Sequence, residues 1–125
     1  MNISDYKSES SRTFLNRTEG IDARTTDLLH CVIGLGTESG EMLDQFKRHI
    51  YYGKPLDVVN VKEELGDVMW YLMNLCRLMN LDLEEIMQMN IDKLKARYPD
   101  KFTAENALNR DTTAERIILE GNDAK

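Results

Sequence analysis

Leu28-Leu29-His30-Cys31-Val32-Ile33-Gly34-Leu35-Gly36-Thr37-Glu38-Ser39-Gly40-Glu41-Met42-Leu43-Asp44-Gln45-Phe46-Lys47-Arg48-His49-Ile50 is the run that decides the fold. Leu28, Val32, Leu35, Met42, Phe46 and Ile50 recur at the helical period, so the spacing predicts an amphipathic helix from about Thr25 to Ile50 with these side chains as its buried stripe. Gly34, Gly36 and Gly40 interrupt it, marking either close helix approach or a bend. Upstream, Gly20 to Asp22 break a weaker helix over 4–17 that offers Tyr6, Phe14 and Leu15 as apolar contacts. Downstream, Tyr51-Tyr52-Gly53-Lys54-Pro55 reads as a loop. Asn60-Val61-Lys62-Glu63 resembles a capping box and opens a third helix that runs to about Asn80. Leu65, Met69, Leu72, Cys76 and Met79 form its inner side. Asp82-Leu83-Glu84-Glu85 caps a fourth helix that Pro99 stops after Tyr98. Thr112-Thr113-Ala114-Glu115 caps a short C-terminal helix over about 112–120, too short to stand alone, which should dock on the body or on a partner subunit. No segment shows strong strand alternation. The expected fold class is all-α, a helical bundle of four to five helices with short connections, in one domain over 1–125.

The 125 residues carry a formal net charge of −6, with 30% charged and 42% hydrophobic residues. That balance argues against broad binding to nucleic acid or to an anionic membrane, while leaving room for a local basic pocket. No stretch is long enough to span a bilayer and no signal peptide is visible. The two cysteines, Cys31 and Cys76, sit at apolar helical positions and read as small hydrophobes in a reducing cytoplasm. Asn16-Arg17-Thr18 fits the glycosylation pattern but carries no weight without secretion. Residues 121–125 are expected to fray.

Two acidic pairs stand out: Glu38-Ser39-Gly40-Glu41 and Glu64-Leu65-Gly66-Asp67. Carboxylates at i and i+3 emerge as neighbours on one helix face. With each apolar stripe set at zero, Glu38 and Glu41 lie about 60° and about 120° off it, and Glu64 and Asp67 about 100° and about 160° off. Both pairs therefore flank a buried stripe, and antiparallel packing would bring them to one edge. Four gathered carboxylates repel unless a cation lies between them, and a hard divalent ion takes oxygen ligands alongside waters and phosphates. An acidic pair on a solvated helix face is the commoner meaning of either motif taken alone. An iron site of the ferritin type would need a Glu-x-x-His motif, which neither pair supplies. Asp27-Leu28-Leu29-His30 comes nearest; His30 reads as a packed, hydrogen-bonded residue, with contact to a base as the alternative. On the fourth helix Asn90, Lys93 and Arg97 share a face, and Lys and Arg both suit phosphate.

These residues resemble the MazG-like family of all-α nucleoside triphosphate pyrophosphohydrolases. That family has Glu-x-x-Glu followed, after a spacer, by Glu-x-x-Asp, here Glu38 with Glu41 and Glu64 with Asp67, separated by Met42 to Glu63. Asn90-Ile91-Asp92-Lys93-Leu94 and Arg97-Tyr98-Pro99 look like its downstream segment, so that the likeness covers roughly 22–110. The resemblance implies Mg²⁺, with Mn²⁺ as an alternative, held by Glu38, Glu41, Glu64 and Asp67, which form the catalytic centre. It implies a (d)NTP substrate cleaved between its α and β phosphates to monophosphate and pyrophosphate. Lys93 and Arg97, with Asn90 beside them, would bind the phosphates, Tyr71 would contact the nucleotide and Lys54 is a weaker phosphate candidate. It also implies a homodimer, or a dimer of dimers. Thr37 stands where some relatives carry a further carboxylate, so either a cluster carboxylate or the cation without a dedicated base would activate water. The alternatives are a pyrophosphohydrolase acting on phosphoribosyl-ATP and a non-catalytic helical module that binds a partner. The preferred base and the biological role are not written in these motifs.

Overall fold

The computed structural model describes residues 2–15 and 20–121. The chain is all-α, with α1 (Ile3–Thr13), α2 (Ala23–Tyr52), α3 (Val58–Met79), α4 (Leu83–Arg97), α5 (Ala104–Leu108) and α6 (Thr112–Glu120). No strand occurs among the described residues. The helix beyond the expected five is the short α5, which Thr103 starts by accepting the Asn106 N–H. The Asn16-Arg17-Thr18 tripeptide and the expected fraying of 122–125 lie outside the described residues.

Short polar side chains fix the helix starts. Asp22 accepts the Thr25 N–H at 2.7 Å, and Asp82 accepts from Glu84 and Glu85 as expected. Two starts fall elsewhere than the sequence suggested. Asp57, three residues ahead of Asn60, accepts from Val59 and Asn60 and opens α3. Asp111, not Thr112, accepts from Ala114 and opens α6. In both cases an aspartate upstream takes the free amides first, and the expected cap becomes a residue of the first turn. At its far end α2 runs on through Tyr51 and Tyr52, expected in the loop, to Gly53, whose φ of 64° makes the left-handed cap.

α2 passes unbroken through Gly34, Gly36 and Gly40. Only Gly34 marks close approach. A Cβ there would lie 2.3 Å from Cε1 of Tyr71 on α3, whereas at Gly36 and Gly40 it would meet open space. The two long helices pair antiparallel. Arg24 donates to the Leu78 carbonyl at 3.3 Å, the His30 ring meets the edge of Tyr71, and further along Glu38 and Glu41 meet Glu64.

A layer of two helices covers only one side of each. Among the described residues the buried hydrophobic side chains are Cys31 and Cys76. Val32, Phe46, Ile50, Leu65, Met69 and Met79, expected inside, stand exposed, because the other face of the hairpin has no cover among the described residues. Tyr6, Phe14 and Leu15 are exposed likewise, and α1 buries none of its residues. α6 docks on α4, as its length demands. No helix among the described residues is long and apolar enough to cross a membrane.

Candidate functional site

Glu38 and Glu41 come from the middle of α2, Glu64 from the second turn of α3. Each offers an oxygen, and these atoms lie within 4.8 Å of one another. Glu64 is 5% exposed, Glu38 half-buried and Glu41 exposed. Among the described residues no lysine or arginine lies within ion-pair distance of any of the three. Asp67, one turn beyond Glu64, is exposed and stands outside this group of three. The Thr37 hydroxyl lies 3.0 Å from the Gly34 carbonyl and 3.3 Å from a Glu38 oxygen, and donates its one proton to either.

Asn60 went unrecognised as a site residue in the sequence. Its Nδ2 donates to Glu64 Oε1 at 2.9 Å and to Glu63 Oε2 at 3.3 Å. The available signal was its position four residues before Glu64, where helical side chains meet. Its reading as a helix cap obscured that.

Tyr71 lies over Gly34, edge-on to His30 at 5.6 Å and to Trp70 at 4.9 Å between ring centres. It is a packing residue of the hairpin with part of its surface free. Beside it a hollow of about 210 Å³ is lined by Asp27, His30, Cys31, Trp70, Asn74 and Arg77. His30 is exposed rather than buried. It sits eight residues from Glu38, about 12 Å along the helix, which is the scale of a nucleotide.

The cations divide. Lys93 is half-buried and has no ion pair among the described residues, and Asn90 beside it is exposed. Arg97 is committed. Its Nε and Nη2 donate to the two oxygens of Glu115 at 2.7 and 2.5 Å, and Arg110 donates to the same carboxylate at 3.3 and 2.6 Å. The Arg97 bonds, then those of Arg110, hold the Glu115 carboxyl at about 2, far below the usual carboxylate range. Glu115 in turn raises both guanidiniums above their ordinary value. Arg110 stands only five residues before Glu115, but Arg97 stands 18 residues away, and nothing local in the sequence announces that longer contact. Lys54 is exposed in the loop, and its carbonyl meets His49 Nδ1 at 2.8 Å.

The family model described as the MazG nucleotide pyrophosphohydrolase domain matches residues 27–102. The chain is also similar to the Gene 37 protein of Mycobacterium phage L5, with 29% identity over 104 residues, covering 78% of this chain and 89% of that protein. No solved structure matches. The family match spans both acidic pairs, the Tyr71 contact and the Lys93 helix, and it takes in more than half of the sequence; the chain belongs to the MazG nucleotide pyrophosphohydrolase domain family.

Proposed function

We propose that the protein is a Mg²⁺-dependent nucleoside triphosphate pyrophosphohydrolase, cleaving a (d)NTP between the α and β phosphates to monophosphate and pyrophosphate. The observation that carries this reading is the group of three carboxylates within 4.8 Å, one of them buried, in a MazG-family domain. Hard oxygen donors in this number suit Mg²⁺, which keeps waters and phosphate oxygens in its other positions, and Mn²⁺ accepts the same set. Burying Glu64 beside two further acids without a cation is costly, so the donor set fits such an ion. Glu38, Glu41 and Glu64 would hold it, with Asp67 reaching in from the next turn of α3.

When bound, the ion neutralises phosphate charge and acidifies water. The remaining work falls to the chain. A cluster carboxylate receives the proton of the attacking water and aims that water at the α phosphorus. Lys93 holds the departing pyrophosphate as a point charge, with Asn90 beside it. Arg97 would add charge to the same end only through the part of its guanidinium that Glu115 leaves free, since Nε and Nη2 are held there. Lys54 lies further out in the loop. The base end of the nucleotide lies toward Tyr71 and the hollow at His30. Catalysis is then positioning and electrostatics, with no covalent nucleophile; both cysteines are buried and unpaired, as suits a cytoplasmic protein.

The working form is a homodimer, alone or paired as a dimer of dimers. Val32, Met69 and Trp70 are 53%, 64% and 55% exposed on the open face of the hairpin, and an apolar face of this kind marks an association surface.

The test is pyrophosphate release from a panel of dNTPs and NTPs with Mg²⁺, for the wild type and for Glu41→Gln. Monophosphate and pyrophosphate from the wild type, lost in the variant, support the reading, and the preferred base names the substrate. Intact nucleotides at high protein concentration overturn it. Phosphoribosyl-ATP is then the next substrate, and a melting temperature indifferent to Mg²⁺ would point to a partner-binding module.

A further inference from the structure

Asn60 occupies the first turn of α3, one turn ahead of Glu64. Its amide nitrogen bridges two carboxylates, Glu64 Oε1 at 2.9 Å and Glu63 Oε2 at 3.3 Å. An ionised carboxylate accepts hydrogen bonds and donates none, so the NH₂ end of the amide must be the end that faces the acids. The opposite end pays for that choice. Asn60 Oδ1 is sealed from solvent with no hydrogen-bond donor, and it is the one such side-chain atom found among the described residues. A buried acceptor without a partner costs stability. Leucine, of the same branched outline though bulkier and a better helix former, would remove that orphaned acceptor. Packing alone therefore gives no reason for asparagine here; the donor to Glu64 does.

The bond has a definite effect on the carboxylate group. Glu64 is 5% exposed and has two acidic neighbours, so a donor on Oε1 offsets part of its charge. It also stops rotation about the last side-chain bond, leaving the carboxylate in one orientation toward Glu38 and Glu41.

We propose that Asn60 is a positioning residue of the metal centre, which orients Glu64 through its amide N–H so that the three carboxylates take up a divalent cation without rearranging. This rests on the pyrophosphohydrolase reading of the same site. Partners that orient a metal ligand typically set affinity by a factor of about 10 to 100.

The experiment compares the wild type with Asn60→Leu and Asn60→Gln, using Mg²⁺ alone in calorimetry and Mg²⁺ titration of nucleotide hydrolysis. Asn60→Leu is expected to raise the Mg²⁺ Kd about tenfold. The Mg²⁺ concentration for half-maximal hydrolysis should shift by the same factor, while turnover at saturating Mg²⁺ is retained. Asn60→Gln keeps an amide donor and should recover part of the affinity. Should Asn60→Leu not melt cooperatively, Asn60→Ala removes the donor without added bulk or charge and should raise the Mg²⁺ Kd by about the same factor. An unchanged Kd in the donor-less variant overturns the inference, as does a turnover loss that no Mg²⁺ concentration repairs. Wild-type binding with equal binding by the variant defeats this inference alone. A wild type that neither binds Mg²⁺ nor hydrolyses any nucleotide defeats the reading of the site, and the role of Asn60 falls with it.

Discussion

Glu64 and Glu115 are each 5% exposed, and their surroundings are opposite. Glu115 on α6 is gripped by two guanidiniums, Arg97 from α4 and Arg110 from the segment just before α6. Glu64 on α3 receives one neutral amide and faces two more acids. Burial of a carboxylate demands compensation in either place. At Glu115 the chain supplies it, and the result is a clasp that fastens one helix to another. At Glu64 the chain supplies only the Asn60 amide, and on the proposed reading a cation from outside completes the compensation. The same residue at the same depth is thus structural in one region and receptive in the other.

The comparison predicts that one substitution has opposite consequences in the two places. Glu64→Gln should reduce nucleotide hydrolysis by more than about 100-fold, beyond the range seen when an outer partner of a metal ligand is lost. The same change should raise the melting temperature in EDTA, because it removes a buried charge that nothing offsets. A fall in that metal-free melting temperature would break the contrast.

Glu115→Gln should instead lower the melting temperature with or without Mg²⁺, since the half-buried Arg97 and the exposed Arg110 lose their shared counter-charge. Acid reaches the same contact. The Glu115 carboxyl is lower in the fold, at about 2, than its ordinary 4.5, so its contribution is complete above 4.5. It drains as pH falls from about 4.5 toward about 2, as the carboxylate takes up a proton in the folded state. Amide protection in α6, taken relative to the intrinsic exchange rate at each pH, should fall across that window in the wild type and be already low in Glu115→Gln at neutral pH. Equal exchange in the two proteins at pH 6 would mean that the clasp does not hold the helix.

A smaller effect tests what keeps Glu38 beside Glu64. Gly34→Ala places a methyl group 2.3 Å from the Tyr71 ring, and should cost about 1–3 kcal/mol in denaturant unfolding as overpacking. Gly36→Ala and Gly40→Ala place the methyl in open space and should gain about 0.5–1 kcal/mol each from helix propensity. If all three alanines stabilise alike, the close approach at Gly34 is not a constraint on the hairpin.

These three glycines also show what a sequence conveys and what it does not. Their spacing around Glu38 signalled close approach or a bend, but only the partner helix distinguishes Gly34, which has Tyr71 across from it, from Gly36 and Gly40, which have nothing. The long helices were legible because periodicity is local. So was the convergence of Glu38, Glu41 and Glu64, since angles on two amphipathic helices place them on facing flanks. Asp67 was grouped with them by the same angles, yet its exposed position sets it apart from the three. The caps at Asn60 and Thr112 were misplaced because an aspartate just upstream competes for the same amides. Glu115 was taken for a capping residue, which hid its contact with Arg110 five residues before it, and Arg97 was out of view because that contact joins distant parts of the chain. The buried stripes were read correctly as apolar, but one chain offers only one covering layer. Val32 and Met69 are left open by the architecture rather than by any feature of their own helices.

The contact between Gly34 and Tyr71 has one more consequence, and it concerns ionic radius. Because the Tyr71 ring rests directly on the Gly34 backbone there, that contact acts as a gauge for the spacing of the two helices near Glu38, one turn further along α2. Mg²⁺ takes its oxygens at about 2.0–2.1 Å, while Ca²⁺ takes them at about 2.3–2.6 Å in looser geometry. A methyl group at position 34 widens the gauge, and the ratio of Ca²⁺ to Mg²⁺ affinity should rise in Gly34→Ala relative to Gly36→Ala. A single absent side chain would then help to decide which ion the protein accepts.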